Sequence, residues 1–294
     1  MLTLMTEEGP FVTVVDPALA DELRKALIEK EFLFTCPPHT LFRASQRGVS
    51  CTLYESGKLV IQGKEKGELI RFCIEPILLR YAPLDMTPRI GVDEAGKGDV
   101  FGPLCIGAVF ASEGGIGALF RYGVKDSKSM TDKQILSLVP HIEKECKTTV
   151  IRLFPEKYNE LYAKFRNLNT LLGWGHATVI ETLVKETGSR RVIIDRFAKE
   201  SVVATAIRRK GLEVDLTQRH GGEGDIVVAA ASIIARAAFV KGMDALSRQF
   251  ALELPKGASS RVVQAGRRFV RERGARSLPL IAKMHFKTLG TILA

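Results

Sequence analysis

Residues 89 to 104, RIGVDEAGKGDVFGPL, constrain the fold and chemistry of this chain more than any other segment. The segment begins as an apolar strand and then places two adjacent carboxylates, Asp93 and Glu94, where the strand ends. Adjacent carboxylates repel each other unless a cation lies between them, and as hard oxygen ligands they suit Mg²⁺ or Mn²⁺. Gly96 and Gly98 follow, and glycines let a polymer backbone approach closely. The segment therefore predicts a metal site beside a groove for a polymer backbone, an arrangement suited to phosphodiester chemistry.

Two other interpretations of this segment are open. The acids could be surface carboxylates in a turn that Lys97 neutralises, but the apolar strand before them favours a site at the carboxyl edge of a sheet. The spacing from Gly91 to Lys97 also fits the phosphate-binding motif GxxxxGK. Against it, Gly98 stands where that motif needs Ser or Thr, and Asp93 and Glu94 would repel the phosphates. A nucleotide-binding loop is therefore disfavoured.

Positive charge is concentrated at the C-terminal end of the chain. The 294 residues include 43 Lys and Arg against 33 Asp and Glu, a net charge of +10. Residues 256 to 294, the basic tail, hold nine of those cations and one acid, Glu272, and so supply eight of the ten net charges. This distribution predicts a polyanionic partner, although a solvated basic helix face gives the same pattern.

Cysteine usage and hydropathy bear on the compartment. Five cysteines are scattered along the chain without a CxxC pair, which favours reduced thiols in the cytoplasm over a disulfide framework or a zinc site. We find no apolar run long enough to span a bilayer and no signal-peptide pattern at the N-terminus. The sequence therefore predicts a cytoplasmic protein without a membrane partner. Because nothing in the sequence demands an oligomer, we expect a monomer.

The chain is predicted to divide near residues 81 to 88, where two prolines interrupt the pattern. Before that point, residues 16 to 30 have the spacing of an amphipathic helix, residues 48 to 63 that of a hairpin, and residues 66 to 80 that of a second helix. These elements predict a small α+β domain over residues 1 to 82.

After the division, over residues 83 to 294, apolar strands alternate with helices. Strands are predicted over RIGV and over residues 104 to 110, 148 to 154 and 190 to 195. Thr131 and Gln134 form a capping box before a helix, and residues 226 to 250 are apolar enough to predict a core helix. The alternation predicts an α/β fold, a sheet with helices on its faces.

Three more acids are candidates for a carboxylate cluster. Asp195 ends the apolar run VIID, where a buried carboxylate is costly unless it is paired or bound to metal; pairing with Arg196 or capping of the next helix is equally open. Glu223 and Asp225 precede the core helix, where the helix dipole favours acids without any further function. The five histidines lack HxxxH spacing and are interpreted as structural, and Trp174 is interpreted as a core residue.

At these residues the sequence resembles ribonuclease HIII of the bacterial type 2 ribonuclease H family. The matching strings are GVDEAGKGDVFGPL (91 to 104), VKDSKSMTD (124 to 132), VIIDRF (192 to 197), VAAASIIAR (228 to 236) and LPKGAS (254 to 259). In order and spacing they cover nearly all of residues 89 to 294. Upstream, YESGKLVIQGK (54 to 64) is similar to the TBP-like N-terminal domain that distinguishes ribonuclease HIII from ribonuclease HII.

The resemblance implies a TBP-like substrate-binding domain over residues 1 to 82. It implies a ribonuclease H-like catalytic domain over residues 83 to 294, a mixed sheet flanked by helices. The expected activity is that of an endonuclease that hydrolyses the RNA strand of RNA–DNA hybrids with two Mg²⁺ or Mn²⁺ ions held by four acids. Matched by position, the acids are Asp93, Glu94, Asp195 and Glu223. Glu223 is one residue away from the usual spacing, and Asp225 is its rival.

The resemblance also implies which residues contact the substrate. The glycine-flanked motif whose backbone reads RNA 2′-hydroxyls is matched by Gly96, Lys97 and Gly98. Ser127 and Lys128, in the DSK loop (residues 126 to 128), are expected to bind the substrate, with Lys125 beside them. Two alternatives to the nuclease are a non-catalytic nucleic-acid-binding protein, which uses the basic tail and the N-terminal domain, and a P-loop nucleotidase.

Overall fold

The computed structural model describes residues 9–74, 76–78, 84–124, 127–195, 200–219 and 221–294. The side chains of Arg71, Ser129, Glu200 and Glu223 lie outside that description. The chain divides into two compact units between Leu84 and Asp85, where the sequence predicts a division between residues 82 and 83. Each unit has a hydrophobic core of its own.

The N-terminal unit is an antiparallel sheet that packs on one face against helices. Its elements are β1 (Phe11–Val14), α1 (Ala20–Ile28), β2 (Leu33–Thr35), β3 (Thr40–Gln46), β4 (Val49–Tyr54), β5 (Lys58–Gly63) and α2 (Lys66–Leu69). Within the described residues the strand order is β1-β5-β4-β3-β2. Buried and partly exposed residues alternate along β4, and the buried set joins Leu23 and Leu27 of α1 in the core.

The predicted hairpin is confirmed as β4 and β5, and the predicted amphipathic helix is confirmed as α1 after a short 3-10 turn. The second predicted helix begins as α2 and continues as a π-helical turn over Ile70–Ile74; part of its range lies outside the described residues. Strands β1, β2 and β3 are not predicted from the sequence. β1 and β2 are short and have no fully buried residue, so they show little hydrophobic alternation.

The C-terminal unit is a mixed sheet between two helical layers. Its strands are β6 (Arg89–Ala95), β7 (Leu104–Ala111), β8 (Lys147–Leu153), β9 (Arg191–Asp195) and β10 (Asp215–Arg219). Its helices are α3 (Glu113–Arg121), α4 (Asp132–Glu145), α5 (Pro155–Phe165), α6 (Leu168–Thr187), α7 (Glu200–Arg209), α8 (Ile226–Phe250), α9 (Ser260–Arg273) and α10 (Thr288–Leu293). For the residues described, the strand order is β10-β9-β6-β7-β8, with β6, β9 and β10 parallel and β7 antiparallel to both neighbours. The predicted α/β fold is confirmed.

Helix α8 lies against one face of this sheet at unusually close range. A Cβ atom at Gly91 of β6 would lie 2.4 Å from the carbonyl carbon of Val227, and one at Gly107 of β7 would lie 2.8 Å from the carbonyl oxygen of Ala231. Glycine is therefore required at both positions, because any side chain would push the helix off the sheet. The opposite face of the sheet packs against α6 and α7 in a separate layer of the core.

The environment of α8 corrects one sequence-based expectation. By length and hydropathy alone this helix could span a bilayer, which corrects the prediction that no segment is apolar enough to do so. In the fold, 83% of its most apolar window is buried, because the sheet lies on one side and α3 and α4 pack on the others. It is the core helix that its composition predicts.

The first turn of α8 is tied to the first residue of β6. Asp225 caps the helix through two backbone amides, and its carboxylate pairs with the buried guanidinium of Arg89, Nε to Oδ2, at 2.9 Å. Arg89 begins β6, whereas Asp93 lies four residues farther along it, about 13 Å away at the usual rise of a strand. Asp225 therefore serves the helix–strand junction at the opposite end of β6 from Asp93.

Replacement of Gly91 by alanine should destabilise the C-terminal unit, because the added methyl meets backbone atoms of α8 rather than a movable side chain. We expect a loss of about 1–3 kcal/mol or more in the free energy of unfolding, the usual range for overpacking. Gly114→Ala is the matched control, since its Cβ would meet no atom within 4 Å and helix α3 favours alanine. Chemical denaturation measures both, and equal stability of the two variants would contradict the close helix–sheet contact.

Candidate active site

Asp93 and Asp195 lie side by side at the carboxyl ends of two neighbouring parallel strands. The register pairs Val92 of β6 with Ile194 of β9, and each aspartate is the next residue in its strand. Adjacent strands are about 4.8 Å apart, so the two carboxyl groups occupy one small region at the edge of the sheet. Asp195 is the last residue of β9, as the sequence predicts, whereas β6 continues past Asp93 to Ala95.

The two aspartates face the side of the sheet that α8 covers. Ser232, on α8, lies beside the carboxylate of Asp93, and its hydroxyl acts to lower the pKa of that carboxyl. The backbone amide of Gly222, in the turn before α8, donates to Oδ1 of Asp195 at 3.0 Å. The close packing of α8 on the sheet thus brings a hydroxyl to Asp93 and a backbone amide to Asp195.

Glu94 contacts the opposite side of the sheet, as the alternation of side chains along a strand requires. Its Oε2 lies 3.1 Å from Nε2 of His176, a fully buried residue of α6, and its Oε1 lies 3.3 Å from Nζ of Lys97. Burial alone would raise the pKa of Glu94, but the hydrogen bonds and charges of His176 and Lys97 hold that pKa below its ordinary value. Glu94 is therefore kept as a carboxylate.

The pKa of Asp93 is shifted upward, in the opposite direction from that of Glu94. Burial, followed by repulsion from Glu94, raises the pKa of Asp93 to about 8, and Asp195 adds to this shift. The hydrogen bonds from Ser232 and from the amide of Glu94 oppose it without cancelling it. The site therefore concentrates more negative charge than the fold can neutralise unaided, and a bound cation would relieve this repulsion.

The fourth acid is constrained by the backbone of the turn Gly222–Gly224. A Cβ atom at Gly222 would lie 2.7 Å from the Cα of Asp195, so this turn touches the end of β9. Glu223 is the next residue, and its side chain lies outside the described residues. The rival, Asp225, has its carboxylate engaged by Arg89 and by the first turn of α8. Glu223 thus stays the prediction for the fourth acid.

The donor set of this site fits a hard divalent cation. Asp93, Glu94 and Asp195 offer carboxylate oxygens and no sulfur, the ligand type that Mg²⁺ and Mn²⁺ take. Among the side chains that the structure describes, no three His, Cys, Asp or Glu groups are already drawn together closely enough to enclose an ion. The argument for a divalent cation at this site is therefore the oxygen chemistry of the three carboxylates and the repulsion between their charges.

The glycine loop, residues 96 to 98, combines a fixed backbone with an open surface. Gly96 has a φ of 85°, and a Cβ there would lie 2.2 Å from the carbonyl oxygen of Pro103, so only glycine fits. Gly98 is exposed, and a Cβ there would meet no atom within 4 Å. Lys97, between them, is partly exposed. The loop thus presents accessible backbone beside the acids, as the sequence predicts.

The DSK loop is held to the site through Ser127. Its hydroxyl is buried and lies 2.7 Å from that of Ser232, the α8 residue beside Asp93. The guanidinium of Arg236 donates to the backbone oxygen of Ser127. This position favours support of Ser232 over direct contact with a substrate, and the substrate-binding role of Ser127 stays a prediction. Lys128 is exposed, and Lys125 lies outside the described residues.

Sequence reasoning missed His176 and Ser232. The sequence predicts a structural role for His176, yet this residue contacts Glu94 directly. The available signal was its setting: a single ionisable residue within the apolar stretch of α6 must find a polar partner when buried. Ser232 has the same kind of signal, as a lone hydroxyl in the apolar first half of α8.

The basic tail presents most of its charge to solvent. Residues Arg261, Arg267, Arg268, Arg271 and Arg273 of α9 are exposed, while Val262, Gly266 and Phe269 form its buried face. The helix is therefore amphipathic, with a continuous cationic side that suits a polyanion.

Comparison with known proteins identifies relatives of both units. The family model described as Ribonuclease HII matches residues 90–289, and a domain family of unknown function, DUF3378, matches residues 10–69. Ribonuclease HIII of Protochlamydia amoebophila (strain UWE25) is 48% identical over 98% of this chain and 98% of its own length. Ribonuclease HIII of Chlamydia caviae is 48% identical over 96% of this chain and 97% of its own length.

Solved structures give the same result. The crystal structure of Bst-RNase HIII in complex with Mn²⁺ superimposes with a TM-score of 0.70 at 29% identity, covering 97% of this chain and 98% of the other. The crystal structure of Aquifex aeolicus RNase H3 superimposes with a TM-score of 0.57 at 26% identity, covering 94% and 100%. These similarities extend over both units of the chain.

Asp93→Asn should stabilise the protein in chelator, because it removes a carboxylate whose pKa is raised to about 8. In the wild type the carboxyl group of Asp93 stays protonated in the folded state up to about pH 8, whereas in the unfolded state it loses its proton near pH 4. The free energy of unfolding therefore falls as the pH rises through that window, by at most about 1.4 kcal/mol per pH unit. The stability gain of the variant should therefore increase from pH 5 to pH 8. Thermal unfolding tests this with the exposed Asp215→Asn as control, and parallel pH profiles for wild type and Asp93→Asn would contradict it.

His176→Phe should weaken Mn²⁺ binding about 10- to 100-fold, the usual effect of removing a group that orients a metal-binding carboxylate. His176→Gln, which keeps a donor, should recover part of the affinity. Calorimetric titration without substrate measures this, with the exposed His141→Phe as the matched control and circular dichroism to establish folding. A folded His176→Phe protein with wild-type affinity would show that Glu94 does not depend on this contact.

Proposed function

This chain belongs to the ribonuclease HII family, as a protein of the ribonuclease HIII kind, and on that premise we propose that it hydrolyses the RNA strand of RNA–DNA hybrids through a two-metal, four-carboxylate site. Family membership makes the protein a ribonuclease H-type endonuclease that depends on divalent metal. The observation that carries the finer proposal is the pair Asp93 and Asp195, level on adjacent strands, with Glu94 beside them.

The proposed ligands are Asp93, Glu94, Asp195 and Glu223, with Mg²⁺ or Mn²⁺ as the ions. Bound divalent ions supply an activated water and stabilise the leaving oxygen of a phosphodiester. The protein supplies the arrangement: Ser232 orients Asp93, His176 and Lys97 keep Glu94 ionised, and Gly222 orients Asp195. Because these partners come from both faces of the sheet, the carboxylates are supported before substrate arrives.

Selection of RNA is proposed for the glycine loop. A 2′-hydroxyl is the group that distinguishes RNA from DNA at a single site. Gly98 has no side chain and open space beyond its Cα, so a sugar can approach its backbone. Lys97 and Lys128 offer cationic side chains at the same edge of the fold for the adjoining phosphates.

We also propose that the basic tail and the N-terminal unit bind the rest of the hybrid. The side of the N-terminal sheet opposite its core carries small polar or basic residues in register, with Arg43 opposite Thr52 and Ser45 opposite Ser50. Such a surface suits a sugar–phosphate backbone, for which contacts weaken as salt concentration rises. We further propose that the protein acts as a monomer in the cytoplasm. The free thiols of its five cysteines, all in the described part of the chain, suit a reducing compartment.

The test is cleavage of three labelled duplexes of one sequence: RNA–DNA, RNA–RNA and DNA–DNA. Each is incubated with Mg²⁺, with Mn²⁺ and with chelator, beside Asp195→Asn and the exposed control Glu213→Gln. We expect metal-dependent cutting of the RNA strand of the hybrid alone, reduced to background in Asp195→Asn and retained in Glu213→Gln. Hybrid binding without cutting under either metal would favour the non-catalytic alternative, and cutting of the DNA duplex would refute the proposed selectivity.

A further inference from the structure

Lys283 is the one cation of the basic tail that is buried, in a segment, residues 221–294, that the structure describes throughout. Its fractional exposure is 0%, whereas the other eight Lys and Arg of the tail are exposed. Burial lowers the pKa of Lys283 to about 8, although the charge of Asp99 acts in the opposite direction. Burial of an ammonium group is costly unless hydrogen bonds compensate for the lost water. The burial of Lys283 therefore indicates that its hydrogen bonds hold the groups that accept them in place.

Those hydrogen bonds go to the backbone that follows the glycine loop. Nζ of Lys283 donates to the carbonyl oxygen of Asp99 at 2.8 Å and to that of Phe101 at 3.3 Å. The ammonium also lies 5.8 Å from the centre of the Tyr158 ring, within range of a cation–π interaction. Bonds from a charged donor are stronger than those between neutral groups, so residues 99 to 101 are firmly held.

The same short segment receives further bonds from the C-terminal part of the chain. The amide of Lys283 donates to the carbonyl oxygen of Val100 at 2.9 Å, and the amide of Val100 donates to that of Gly257 at 3.0 Å. The amide of Gly257 donates to Oδ1 of Asp99 at 2.6 Å. Residues 99 to 101 are therefore held between Gly257 on one side and Lys283 on the other.

This clamp fixes one end of the glycine loop, and strand β6 fixes the other. Gly96 follows β6 directly and can move little, because Pro103 and Phe239 lie against it. Gly98 immediately precedes the clamped segment. The exposed backbone at Gly98 lies between two anchored ends, so it needs little ordering when a ligand binds.

We propose that Lys283 is a positioning residue that presets the amides of residues 96 to 98 for the ribose of the RNA strand. The proposal rests on the function proposed above, which assigns this loop to substrate recognition. Lys283 touches neither substrate nor metal in this role; it acts through the backbone of Asp99 and Phe101. A purely structural lysine would stabilise the fold without affecting how tightly the hybrid is held.

The experiment compares Lys283→Met with Lys185→Met, an exposed lysine of helix α6 outside the basic tail, in the full-length protein. Hydrogen–deuterium exchange of a peptide spanning residues 96 to 102 reports the loop directly and needs no activity. We expect exchange in Lys283→Met to be faster by about tenfold or more, the effect of losing hydrogen bonds from a charged donor, with the control at wild-type rates. Equal exchange in the two variants would overturn the proposal.

Kinetics on the RNA–DNA hybrid give the second readout. Lys283→Met should raise KM about tenfold while kcat stays within about threefold, because the carboxylate site is untouched. A fall in kcat at unchanged KM would overturn the proposal. Gly98→Ala should weaken hybrid binding with normal loop exchange, since its methyl obstructs the substrate without loosening the clamp.

Lys283→Gln keeps the test decisive if Lys283→Met fails to fold. Its shorter, neutral amide cannot supply a charged donor to both carbonyl oxygens, so exchange and KM should change in the same direction, though less. Wild-type exchange and KM in Lys283→Gln would then overturn the proposal. If the wild-type protein shows no preference for hybrids, the proposed function fails, and the exchange measurements still decide whether Lys283 holds the loop.

Discussion

The close contact between helix α8 and the central strands is the constraint on which the rest of the C-terminal unit depends. Gly91 and Gly107 let the helix backbone touch the sheet, with no layer of side chains between them. At that distance a hydroxyl as short as that of Ser232 reaches Asp93, and the turn before the helix reaches Asp195. The site is therefore a product of backbone packing, and a helix a few ångströms farther away would lose the contacts that α8 and the turn before it make with both acids.

The acids are held in unequal states by partners from opposite faces of the sheet. Glu94 is stabilised as an anion by His176 and Lys97, whereas Asp93 is destabilised as an anion by burial and by its neighbours. The fold therefore tolerates one carboxyl group, that of Asp93, whose ionised form its surroundings do not stabilise. Such local instability is common where a site is organised for a ligand that the polypeptide does not itself supply.

The sequence predicts the fold well wherever burial is continuous and poorly where it is partial. β6, β9 and α8 have long apolar runs and are placed correctly, while β10, with the sequence DLTQR, alternates between exposed and half-buried residues and gives no clear signal. Asp93 and Asp195 are predictable because a carboxylate after an apolar strand is conspicuous. His176 and Ser232 are not, because their roles depend on which helix covers which face, and this is decided by tertiary packing.

The continuity of residues 93 to 98 has a consequence for where a substrate would be cut. The acids end one strand and the glycine loop follows without interruption, clamped on its far side by Lys283. The backbone that would recognise a ribose and two of the four acids that would act on a phosphate, Asp93 and Glu94, are thus parts of one continuous segment. In the proposed reaction the distance between the ribose that is recognised and the phosphodiester bond that is hydrolysed is therefore set by the covalent geometry of this segment.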